Sequence, residues 1–146
     1  MSPAHPKPGP RKKVRRWKTP RCVSRGCRQP QKHIERCVKH ARIHLDKLWS
    51  AKVRTDRCEV DHRPLFACGG SIQACHGFDR DELGTRWDVR NGLSGCGASN
   101  AYFHVHKRQW YEYLRDYWGE PLYQELKALA DRPKPTDWDA VLLSLT

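Results

Sequence analysis

At 146 residues the chain holds material for one domain or two very small ones. With 38% hydrophobic residues and a mean hydropathy of −0.88, it cannot build a large apolar core. No stretch approaches the ~20 apolar residues that a membrane span needs. The formal charge is +12, and it is concentrated: eleven Lys/Arg and no Asp or Glu precede Glu35, while the rest of the chain is close to neutral.

Residues 1–19 carry four prolines and seven Lys/Arg around Trp17. This composition reads as a basic arm that settles on a phosphate backbone through Arg11, Lys12, Lys13, Arg15 and Arg16. It lacks the apolar segment of a secretory signal, so a cytoplasmic protein is expected. In that compartment the seven cysteines read as thiols and metal ligands rather than as a disulfide framework.

Residues 20–44 form a compact unit in which Cys22, Cys27, Cys37 and His40 follow C-x4-C-x9-C-x2-H, with Gly26 and Pro30 in the turns. Three thiolates and one imidazole satisfy tetrahedral Zn²⁺. A unit of ~20 residues has no core of its own, so bound metal would supply most of its folding free energy. His33 and His44 fall outside the pairing and read as surface residues.

Over 42–56, Ile43, Leu45, Leu48, Trp49 and Val53 share one helical stripe, predicting a linking helix assigned to 45–57. Residues 58–118 then form a second unit. Short apolar runs at Ser71–Cys75 and Gly92–Ser94 predict a hairpin with a long loop. Residues 98–118 predict one helix carrying Phe103, Trp110, Tyr113, Leu114 and Tyr117. Residues 119–146 hold two more helices: Leu122–Asp131, started by Pro121, and a terminal one capped by Thr136 with Asp139 and bearing Trp138, Val141 and Leu142. The fold class expected is small α+β. Most of the aromatics Trp110, Tyr111, Tyr113, Tyr117 and Trp118 read as core, although Tyr111, beside Lys107 and Arg108, could stack on an unpaired base.

Hydrolysis of a phosphodiester requires a base to activate water, a hard cation to stabilise charge on the departing oxygen, and cationic groups to hold the strand. The runs IQACHGF, TRWDVRNG and CGASNAYFHVH supply His76, Asn91 and His104 in that order. Together with LDKLWSAKVRTDRC and WGEPLYQEL, they resemble HNH (His-Me finger) endonucleases over roughly residues 46–130. The similarity is to a phage and prophage group that includes recombination-associated nucleases. The segment CVSRGCRQPQKHIERCVKH resembles the short zinc finger near the N-terminus of some phage HNH proteins, where it implies DNA docking.

The resemblance implies a ββα-metal core and a metal-dependent DNA endonuclease. His76 would be the general base, and His104 a ligand of a catalytic Mg²⁺ or Mn²⁺. Asn91 would either ligate that metal or brace the loop holding the base. Arg80 and Arg86 match basic loop positions suited to phosphate, and Asp88 would pin the loop. His106, about 200° round a helix from His104, could share its ion only if the helix breaks. The implied partner is DNA, with no membrane, and the protein a monomer or homodimer; if phage-encoded, it acts in the bacterial host cytoplasm.

Each of these residues also has a plainer role open to it. His76 can be a hydrogen-bonded histidine at a strand end, Asn91-Gly92 a turn dipeptide, and His104 a zinc ligand. Cys75 stands where many members of the family have Asp or Gly, and a soft thiolate suits Mg²⁺ poorly; it can be a small buried residue. A second structural zinc would use Cys58, Cys68 and Cys96, completed by His62 rather than by Ser99 in the family's fourth place, or that site is lost. The alternative function is a non-catalytic, zinc-dependent DNA-binding protein derived from an HNH fold. A zinc adaptor for another protein would leave the basic excess unused.

Overall fold

A computed structural model describes residues 20–60, 65, 67–132 and 137–146. The basic arm, His62 and Thr136 lie outside the described residues. In chain order the elements are α1 (Val38–Val53), β1 (Ile72–His76), a 3-10 turn (Val89–Asn91), β2 (Gly92–Cys96), α2 (Gly97–Val105), α3 (Lys107–Trp118), α4 (Glu120–Ala130) and α5 (Trp138–Leu145). The expected α+β class is therefore realised among the described residues as five α-helices and one two-stranded sheet. None of these helices is long and apolar enough to cross a membrane.

Ala41, Leu45, Trp49 and Val53 recur every four residues along α1 and are its buried positions. The helix starts four residues before the expected 42–56 stripe because Cys37 takes the N-cap position. His40 thus falls in the first turn, and the cysteine/histidine unit and the linking helix are continuous. The hairpin is antiparallel, pairing Ile72 with Cys96 and His76 with Gly92. A Cβ on Gly92 would stand 2.4 Å from a Val53 methyl carbon and 2.8 Å from the Trp49 ring, so glycine is what lets α1 lie against the strands.

The single helix expected over 98–118 is two helices. His106 leaves the helical region at φ −101°, ψ 59°. Its Nδ1 lies 2.8 Å from the Tyr102 carbonyl oxygen and its ring stacks on Tyr102, a local side-chain contact that competes with continuation of the helix. Trp110 Nε1 then donates to the Gly77 carbonyl at 2.7 Å, tying α3 to the end of β1. At the C-terminus the helix cap is Asp137, whose side chain accepts from Asp139 N and Ala140 N.

Two apolar clusters form. One joins Leu93 of β2 to Phe103, Trp110, Leu114, Tyr123 and Leu126 of α2, α3 and α4. The other packs Leu45, Trp49 and Val53 of α1 against Trp87 and against Trp138 and Val141 of α5. Trp110 is core as expected, and Tyr111 is half-buried with its ring against Phe78. Tyr117 is half exposed.

Candidate metal centres and active-site cleft

The ligand atoms of Cys22, Cys27, Cys37 and His40 all lie within 4.8 Å of one another. Tetrahedral zinc with Zn–S ~2.3 Å and Zn–N ~2.05 Å places two sulfurs about 3.8 Å apart and a sulfur and a nitrogen about 3.5 Å apart. Cys27 and Cys37 Sγ are 3.8 Å apart. His40 Nδ1 is 3.5 Å from Cys22 Sγ and 3.2 Å from Cys37 Sγ. These four residues can therefore hold zinc, with Nδ1 as the imidazole donor. Burial works against ionisation of Cys22, yet hydrogen bonds from Ser24, the Cys37 backbone and His40 bring its thiol down to about 6. His33 is turned away and packs on Trp138 at 4.2 Å between ring centres.

Cys58, Cys68 and Cys96 form a second convergent set within the same 4.8 Å limit. The Cys96 N–H donates to Cys58 Sγ at 3.2 Å, and the N–H groups of Gly69 and Ser99 donate to Cys96 Sγ at 3.4 Å. Burial works against ionisation of Cys96, yet the hydrogen bonds from Ser99 and Gly69 bring its thiol down to about 6. The Ser99 hydroxyl donates to the Cys96 carbonyl at 2.8 Å and lies 3.5 Å from Cys96 Sγ and 3.8 Å from Cys58 Sγ, beside the set, although a neutral hydroxyl is a poor zinc ligand. Three ligands of the expected set thus meet; the fourth, His62, lies outside the described residues. The hydrogen bond with Cys96, with burial, pushes Cys68 up to about 11, a crowding of sulfurs that a bound cation would relieve.

His76 closes β1 and lines an open cleft of about 1160 Å³ together with residues of α1 and with Asn100, His104 and Lys107. Its ring stacks on Trp49 at 3.8 Å and 14°. Nε2 sits 2.9 Å from the Arg86 carbonyl oxygen. A carbonyl only accepts, so Nε2 carries the proton and Nδ1 keeps its lone pair. Burial, with lesser contributions from Arg80 and Arg86, lowers the imidazole to about 4 against the opposing pull of the carbonyl bond. His76 is consequently neutral at pH 7 and able to accept a proton.

His104 lines this cleft and His106 does not, although the helix breaks at His106. Asn100, one helical turn before His104, also faces the cleft and donates through Nδ2 to Gln73 Oε1 at 2.8 Å. Sequence reasoning missed Asn100; the signal was the N-x3-H spacing on α2. Among the described residues, no set of three Cys, His or carboxylate ligands includes His76 or His104.

Two expected assignments change. Asn91 is fully buried: its Oδ1 accepts from Phe78 N at 2.7 Å, and its Nδ2 donates to the carbonyls of Phe78 and Thr85 at 3.2 and 3.1 Å. Of the two roles open to it, the amide takes the bracing one, and metal ligation by Asn91 is withdrawn. Arg86 is also buried. Its Nε and Nη2 bond the Asp46 carboxylate at 3.0 and 2.9 Å, and its Nη1 bonds the Arg80 carbonyl. With its guanidinium committed inside the protein, Arg86 is a loop anchor rather than a phosphate contact.

Asp46, a residue that sequence reasoning did not single out, is the hub of that anchor. It also accepts from Trp87 Nε1 at 2.8 Å and from Arg80 Nη2 at 2.8 Å. Burial would raise its carboxyl, but the hydrogen bonds from Arg86 and Trp87 hold it below the ordinary carboxylate range. Arg80 remains exposed at the cleft. Asp88 pins the loop, accepting from Arg90 N. Cys75 is buried, and burial pushes its thiol up to about 11, so it is a neutral packing residue. No family model, no curated protein and no solved structure matches the chain.

Proposed function

We propose that the protein is a metal-dependent DNA endonuclease of the HNH type. The observation that carries this reading is His76: a neutral imidazole with a fixed tautomer, its Nδ1 without a partner among the described residues, lining one cleft with His104 beside a hairpin and the helix that follows it. In the proposed reaction His76 Nδ1 takes a proton from the attacking water while Arg80 holds a phosphate oxygen. His104, with the amide oxygen of Asn100, offers the nitrogen and oxygen donors that suit Mg²⁺ or Mn²⁺. When bound, that ion would supply charge stabilisation at the leaving oxygen. Asn91 and Asp46 keep the loop, and with it the Arg86 carbonyl, in register with the base. The two thiolate sets, each suited to structural zinc, would staple the finger and the hairpin.

A second reading, a DNA-binding protein that no longer cuts, is favoured by Cys75. A buried neutral thiol occupies the position where the resemblance implies an acidic metal ligand. The two readings separate on supercoiled plasmid with Mg²⁺ or Mn²⁺. The nuclease reading expects the wild type to nick it and His76→Ala to leave it intact. A wild type that binds the plasmid but never converts it to the open circle hands the case to the second reading.

A further inference from the structure

With Arg86 withdrawn from the candidate phosphate contacts, positive charge in the described part of the molecule has a different centre. Residues 20–57 contain eleven Lys/Arg against Glu35, Asp46 and Asp56, and Asp46 is taken up by Arg80 and Arg86. On α1, Ile43, Lys47 and Ser50, with Arg54 at its C-cap, line the cleft at spacings of three and four residues. Lys39 shares that helical face one turn before Ile43. Lys39, Lys47 and Arg54 are exposed, and among the described residues none of them pairs with a carboxylate.

We propose that α1 is the rail along which the backbone of duplex DNA lies, with Lys39, Lys47 and Arg54 taking phosphates as it passes His76. The partner rests on the nucleic-acid reading given above; the surface rests on the geometry of α1. At 1.5 Å rise per residue the three cations are spaced ~12 and ~10 Å apart. The rail of ~22 Å is long enough to pass several successive phosphates of one strand, whose spacing along the strand exceeds their ~3.4 Å axial advance. Ser50, between Lys47 and Arg54, adds a hydroxyl donor.

The aromatics of the cleft favour a duplex over a single strand. Unpaired bases are held by stacking on exposed rings. Trp49, Phe103 and Trp110, which border the cleft, are 2%, 5% and 4% exposed and offer no platform. Beside Ile43, Asp79 and Asp81, the cleft presents the cations Lys47, Arg54 and Arg80 and the donors Ser50 and Asn100, which suit a phosphate backbone.

The test is fluorescence anisotropy on the full-length protein with a short labelled duplex and its matching single strand, over roughly 50–200 mM salt without added divalent cation. Lys39→Ala, Lys47→Ala and Arg54→Ala should each lower the slope of log affinity against log salt by about 0.9, equally for unrelated duplex sequences. Lys127→Ala, on α4 outside the cleft, should leave the slope unchanged. Because all three rail residues are exposed and act independently, misfolding of one variant, detected by circular dichroism, leaves two to decide. Unaltered slopes for the rail variants, an equal loss for Lys127→Ala, or tighter binding of the single strand overturns the proposal. A wild type that binds the duplex through these residues yet never nicks would end the nuclease reading and leave the rail standing. Nicking with unchanged slopes would do the reverse.

Discussion

Packing against Trp49 does two things to the His76 imidazole. It fixes the ring plane, and it removes the water that would solvate the charged form, so the group titrates at about 4 rather than 6.5. The sign of the consequence follows from proton counting. Between these two pH values the unfolded chain binds a proton that the folded chain excludes, so stability rises with pH through this window. The contribution is fully present above 6.5 and is lost as pH falls towards 4, amounting to up to about 3 kcal/mol. Urea unfolding midpoints at pH 7 and pH 4.5 should therefore fall further for the wild type than for His76→Ala. Acid loss of zinc is common to both proteins and cancels in the comparison. Parallel falls would mean that the ring is not buried in solution.

At the scale of elements, α1 does more than link. Asp46 and Trp49, three residues apart and so neighbours on one helix face, grip the loop between the strands at consecutive positions. Asp46 holds Arg86 and Trp87, and Trp49 Nε1 donates to the Asp88 carbonyl at 3.0 Å. The backbone carbonyl that orients His76 belongs to that same stretch. Asp46→Asn keeps the volume but leaves the buried Arg86 guanidinium without a counter-charge, a change that costs about 3 kcal/mol. The expected result is a lower urea midpoint together with nicking reduced well below what the residual folded fraction explains. Unchanged stability would show that Arg86 finds another partner.

For the whole molecule, the difficulty is a small core divided in two. One cluster sits between the hairpin, α2, α3 and α4, and the other between α1, Trp87 and α5. Each has a ligand set at its margin: Cys37 and His40 at the start of α1, and Cys58 and Cys96 beside the packing of Val60 and Leu93. A chain this poor in apolar residues gains from such staples. Elemental analysis of purified protein should find two zinc ions per chain, and one after Cys37→Ser or after Cys96→Ser. A single zinc in the wild type, lost only with Cys37→Ser, would leave the hairpin to be held by packing.

The spacing of Cys22, Cys27, Cys37 and His40, most apolar positions of the helices and the position of His76 at a strand end were legible in the chain; Ile43, expected on the α1 stripe, is exposed instead, and Ala41 takes its place. They depend on local geometry: which residues a turn brings together, and which face a period of 3.6 exposes. The break at His106, the earlier start of α1, and the fates of Arg86 and Asn91 were not legible: the first two turn on local contacts that spacing alone does not announce, the His106 ring on Tyr102 and Cys37 at the N-cap, and the last two were decided by partners distant in sequence or by packing. An arginine in a loop reads as a phosphate contact until a carboxylate forty residues away claims it. An asparagine reads as a ligand until the carbonyls of its own loop enclose it. The sequence by itself determined which side chains bear chemistry and where helices and strands form; tertiary structure alone decided which of those side chains remain free to act, since desolvation and hydrogen-bond satisfaction are properties of the packed whole.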